Sequence, residues 1–126
     1  MSQTFIAEPN NERRRAFLSA YNARHGQLPR VPMAAAQGYD SVYILLHSIF
    51  SVRDGKLTGP VIKTALENIS RPYYGVVTTY NKPFSLSDKE ALSENMLVMG
   101  VVKNGAIGFA YAEDAKKSLT IQRKQQ

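Results

Sequence analysis

Residues 38–49 read GYDSVYILLHSI, and the reading of this stretch decides the fold. Tyr39, Val42, Tyr43, Leu46, Ile49 and Phe50 recur at i, i+3, i+4, i+7, i+10 and i+11, the spacing of one helical face. The body of the segment is therefore a helix whose apolar stripe is expected in a core. Its start asks for another explanation. Gly38 is a poor helix former, and Ala34, Ala35 and Ala36 bring little side chain to pack. Small residues at such a mouth imply the close approach of something.

Working outward, Asn10 or Asn11 can cap a first helix over about residues 11–25, with Glu12 at the positive end of its dipole and Gly26 as its stop. The connector HGQLPRVP contains two prolines and runs extended, as a crossing strand or linker. The second helix spans about 33–53 and ends at the Asp54-Gly55 turn. A third opens at Thr58 with Pro60 in its first turn and closes before Arg71-Pro72.

The period then changes. Residues 74–80, YGVVTTY, are β-branched and aromatic and read as one strand. Ser87 with Glu90 has the form of a capping box opening a short helical turn through Leu92. Met96–Val102 and Ala106–Tyr111 flank Lys103-Asn104-Gly105, a hairpin signal, because Asn-Gly accepts positive φ. The order is three helices followed by about three strands, an α/β chain. The second helix needs a larger sheet than these strands supply to bury both its faces, so the chain reads as part of something.

With 126 residues, the sequence is long enough for one domain with a real core and reads as a single partial one, with residues 112–126 as a loose tail. No run approaches the roughly 18 apolar residues that would span a bilayer. The opening MSQTFIAEPN has neither a basic leader nor an apolar centre, so no secretory signal is expected within it. That leaves a cytoplasmic protein, a mature chain with a replaced start, or a fragment. The absence of cysteine excludes disulfides and thiolate metal sites. The net charge of +6 raises nucleic acid as a partner, but the basic runs Arg13–Arg15, Lys116-Lys117 and Arg123-Lys124 lack interleaved aromatics. They read as solvated surface.

Chemistry is sparse. His25 sits beside the stop of the first helix, and His47 has no acidic or histidine partner at i, i+4, so neither suggests a metal site. There is no nucleophile elbow, P-loop or dinucleotide fingerprint, and the carboxylates are scattered over caps and turns. No enzyme and no cofactor are expected. Tyr73, Tyr74, Tyr80 and Phe84 read as packing around the strand, with a ligand wall as the alternative.

The succession FLSAYNARHGQLPRVPMAAAQGYDSVYILLHSI, TALENI, YYGVVTTYNKPFSLSDKEALS and VVKNGAI resembles the C-terminal part of type 1 periplasmic solute-binding proteins, over about Ala16 to Gly105. These are the receptors of ABC importers of the branched-chain amino acid class. The resemblance implies a fragment of two Rossmann-like lobes joined by three crossings, with Leu28–Pro32 at the third hinge. It implies periplasmic location, a membrane permease as partner, and non-covalent capture of an amino acid or an aromatic or aliphatic carboxylate in the interlobe cleft. The ligand contacts it suggests are Ala34, Ala35, Ala36, Gln37 and Tyr39, while Asp40 caps or supports the helix start. Exposed sheet edges and an uncovered helix face are expected to make the segment a homo-oligomer. The rival reading is a small basic interaction or nucleic-acid-binding domain.

Overall fold

A computed structural model describes residues 1–8 and 10–117. The chain is mixed α/β, and its helix boundaries follow local signals. In α1 (Glu12–His25), the Asn11 side chain accepts from the Arg14 N–H at 2.9 Å, and Gly26 at φ 69° donates its N–H to the Asn22 carbonyl. Pro32 opens α2 (Pro32–Ser51), where its fixed φ suits the first helical position. Thr58 precedes α3 (Gly59–Glu67) without a side-chain cap bond, and the Asn68 N–H closes that helix on the Thr64 and Ala65 carbonyls.

The face of α2 turned to the core is not the expected one. Ala36, Asp40, Ile44 and Ser48, four residues apart, are buried, whereas Tyr39, Val42, Tyr43, Leu46 and Phe50 are exposed. Apart from Ile44, the inward side is small or polar: Ala36 and Ser48 have no exposed surface, and the Ser48 hydroxyl donates to its own helix at the Ile44 carbonyl. Bulkier residues on that side would hold the helix off its neighbours.

Residues 74–80 are not one strand. Tyr73–Tyr74 (β2) and Thr79–Tyr80 (β3) pair antiparallel in a hairpin whose turn is closed by the Gly75 N–H on the Thr78 carbonyl. The capping box at Ser87 is also absent. Ser85 and Asp88 instead exchange bonds, Asp88 N–H to the Ser85 hydroxyl and Ser85 N–H to the Asp88 carbonyl, which satisfies the backbone without a helix. Lys89 ties this loop to Glu67 on α3, and Glu67 also pairs with Lys63.

After a 3-10 turn at Glu94–Met96, β4 (Val98–Lys103) and β5 (Ala106–Phe109) form the expected hairpin, with Asn104 at φ 51° and Gly105 at φ 77°. Two elements were not expected. The N-terminal β1 (Ser2–Gln3) pairs antiparallel with β4 and completes a three-stranded sheet in the order β1-β4-β5. A last helix, α4 (Ala112–Lys117), stands where a loose tail was read; Asp114 accepts from the Met99 N–H, and Lys117 donates to the Leu97 carbonyl. Residues 118–126, with Arg123 and Lys124, lie outside the described residues.

Every strand pair among the described residues is antiparallel. The Leu28–Pro32 connector forms no strand. Two apolar clusters hold the elements together. One joins Phe5, Phe17, Leu18, Ala36, Val76 and Val77; the other joins Ile44, Ile69 and Tyr80, and Leu92 packs on both.

Candidate functional site

Two features sit side by side along α2, a buried ionic clamp and an open groove, and Tyr80 belongs to both. The clamp holds the 75–78 turn. Asp40 Oδ1 accepts from the Val76 N–H and Oδ2 from the Val77 N–H, both at 2.8 Å, and Oδ2 also accepts from the Tyr80 hydroxyl at 3.0 Å. Arg14 grips the same two residues through their carbonyls, with Nε donating to the Val76 carbonyl at 3.1 Å and Nη2 to the Val77 carbonyl at 3.3 Å. Its Nη1 donates to the Asn10 side chain. Asp40 therefore does not cap its own helix; it lies in the third turn and fastens α2 to the β2–β3 hairpin.

Burial pushes the Asp40 carboxyl above its usual range, against the pull of the two amides, the Tyr80 hydroxyl and the Arg14 charge. Burial likewise lowers Arg14, with Asp40 working to hold its charge. The Arg13–Arg15 run is thereby split. Arg13 lies over the Tyr74 ring at 4.9 Å, Arg14 is inside, and Arg15 is exposed. The sequence signal for Arg14 was its position three and four residues before Phe17 and Leu18, on the buried side of α1. The signal for the turn was Gly75, a lone glycine inside a β-rich run.

The groove encloses about 460 Å³ between α2, α3 and the 80–92 segment. Ile44, Leu66 and Phe84 make its apolar wall, and Gln37, Ser41 and Glu90 bring polar groups to it. Such a cavity suits a small solute with an apolar body and a polar head. The five predicted contacts do not converge on it. Gln37 lines it, with its amide held by the Thr4 hydroxyl at 2.8 Å. Ala36 is sealed in the core, Ala34 faces solvent and Ala35 packs against the first cluster. Around Gly38 there is open space, since a Cβ there would meet nothing within 4 Å.

Tyr39 belongs to a row of rings. Phe17–Tyr39, Tyr39–Tyr43, Tyr43–Tyr73 and Tyr73–Tyr80 have centroids 5.1, 4.8, 6.1 and 6.0 Å apart, spacings at which aromatic pairs attract. Burial is the main cause that raises the Tyr73 and Tyr80 phenols, and the Asp40 charge adds to it. A bond with Tyr43 is the main cause that raises Tyr39.

An alkaline test follows from these shifts. A phenol raised in the folded chain contributes stability that is complete below the ordinary tyrosine value of 10.0 and is lost as the pH climbs towards the folded value. Tyr73 and Tyr80 are expected to keep their protons past pH 10.0 and to ionise only as helical circular dichroism disappears. Ionisation of Tyr73 and Tyr80 at pH 10.0 with the helices intact contradicts the burial assigned to these two rings.

Neither histidine forms a reactive pair. His25 stacks on Tyr21 at 4.4 Å, and His47 lines a recess of about 380 Å³ with Arg53, Asn68 and Arg71. Among the described residues, no three His, Cys, Asp or Glu side chains gather as metal ligands, and no helix is long and apolar enough to cross a membrane. No family model matches the chain, and no curated protein or solved structure matches it.

Proposed function

We propose that the chain is the C-terminal portion of a two-lobe solute-binding protein of the type 1 periplasmic class. It belongs, on this reading, to the receptor of an ABC importer for amino acids or related aromatic and aliphatic carboxylates, working in the periplasm beside a membrane permease. The observation that carries the reading is the groove flanked by Gln37 and Ser41 on α2 and by Phe84 on the following loop. It offers apolar surface for a side chain and polar groups for a head, as non-covalent capture requires. Closure of a second lobe over it then shifts an open-to-closed population without breaking bonds. The prolines of the 28–32 connector suit a hinge.

Half a cleft binds weakly, with a dissociation constant of about 1 mM or above. In amide NMR titrations with leucine, phenylalanine and benzoate, saturable shifts are expected at Gln37, Ser41, Ile44 and Phe84. Ser41→Trp, which fills the groove from an exposed position, is expected to abolish them without loss of helicity. Shifts confined to lysines and arginines, or tight duplex DNA binding that collapses as salt rises, support the basic-domain rival instead.

A further inference from the structure

Apart from Leu45, which also lines the groove, the outer face of α2 is unaccounted for by the groove or the clamp. Phe50 is 80 % exposed and Val42 56 %, and Tyr39, Tyr43, Leu45 and Leu46 lie between 38 and 44 %. At 100° per residue these side chains cover an arc of roughly 160°, wider than the stripe of an ordinary surface helix. The inner side carries Ala36, Asp40, Ile44 and Ser48, so most of the large apolar side chains of α2 lie on this exposed face. We infer that two copies of this chain pair through this face, α2 against α2 and antiparallel, about a two-fold axis near residue 44.

Three observations select a second copy as the occupant. The first is area. Aromatic side chains bury 150–250 Å² each, so the six exposed fractions amount to on the order of 500 Å², as much as the largest patch a monomer usually tolerates. A stable dimer needs about 800 Å² per partner, of which about 65% is apolar in homodimers, and the patch matches that apolar share.

The second is charge. The chain carries +6, yet α2 contains no Lys, Arg or Glu, and its single Asp40 is buried on the other side. Two copies meet here without like-charge repulsion, whereas an acidic partner would be drawn to faces such as that of Arg13 and Arg15. The third is self-complementarity. Tyr39, Tyr43, Leu46 and Phe50 follow a 4-3-4 spacing, that of a helix-pairing seam. The spacing is symmetric about its centre, so antiparallel pairing sets Tyr39 against Phe50 and Tyr43 against Leu46. It also aligns the helix dipoles favourably. The inference stands on the exposed face alone and does not depend on the solute-binding reading.

The absence of cysteine makes the test direct. Light scattering at tens of micromolar is expected to give twice the 14.0 kDa chain mass, and Val42→Glu with Leu46→Glu is expected to return it to 14.0 kDa with unchanged circular dichroism, weakening the dimer at least 100-fold. Tyr39→Cys and Phe50→Cys chains, mixed and oxidised, are expected to cross-link. Either variant alone is expected not to, because two copies of the same position lie about 16 Å apart along the antiparallel helices. A monomeric parent chain overturns the inference, as does a dimer indifferent to the charged pair, or a Tyr39→Cys chain that cross-links with itself.

Discussion

Asp40→Ala is expected to lower the unfolding free energy by about 3–5 kcal/mol, read from the urea midpoint by circular dichroism. The substitution strands the Val76 and Val77 amides and the Tyr80 hydroxyl without their acceptor. It also leaves Arg14, 5 % exposed, without the carboxylate that faces it across the turn. Domains of this size are stable by about 5–15 kcal/mol, so the variant stands close to unfolding at room temperature. Asp40→Asn is expected to cost about 2 kcal/mol, since one amide finds an oxygen and the other meets an NH2 group. A loss below about 1 kcal/mol for the alanine variant would show that the clamp is not a main attachment of the hairpin.

The raised pKa of Asp40 fits this expectation. Because burial lifts the folded carboxyl above its unfolded value of 3.8, its contribution to stability is greatest below that value and declines as pH rises through the folded one. The anion is thus held at a cost at neutral pH. Removing it costs more, because the donors arranged around it have no other partner. Acid unfolding of this chain must therefore begin at other groups. Glu67, held below its usual range first by Lys63 and then by Lys89, titrates in the required direction: its contribution is present above the unfolded value and lost as pH falls.

The clamp also explains which parts of the fold are legible from residues alone. Several element ends are, because their causes are local: the Asn11 side chain, the positive φ of Gly26 and the Asn104-Gly105 turn act within four residues of themselves. The face of α2 is not. Helical period identifies a stripe but not what lies opposite, and the core side of α2 went to Ala36, Asp40, Ile44 and Ser48, with Asp40 bonded to a hairpin distant in sequence. The strand reading of 74–80 failed for the same reason. Its β-branched run is bent at Gly75 so that two peptides can face a carboxylate some 36 residues earlier, a demand that β propensity does not register. At the candidate site, Gln37 was named only through the family resemblance and Phe84 only as the alternative to strand packing, whereas Leu66 carried no signal and reaches the groove by tertiary packing.

The second large effect is expected at Gly75, where Gly75→Ala should destabilise by about 2–3 kcal/mol. A Cβ there would stand 2.4 Å from Asp40 Oδ2, 2.7 Å from Asp40 Cγ and 2.7 Å from Tyr80 Cε2. Neither neighbour is a flexible tip: the carboxylate is fixed by three donors and the ring is stacked on Tyr73. Gly38→Ala is the control of opposite sign. Nothing lies within 4 Å of its Cβ, and the position is inside α2, so alanine should stabilise by about 0.5–1 kcal/mol through helix propensity alone. The two glycines, alike in sequence context as breaks in apolar runs, are thus separated by what approaches them. The contact assigned to Gly75 also predicts non-additivity. In an Asp40→Asn background the clash persists, whereas in an Asp40→Ala background most of the obstructing atoms are gone and the penalty should fall by more than half. Equal penalties in both backgrounds would place the strain elsewhere than between the turn and the carboxylate.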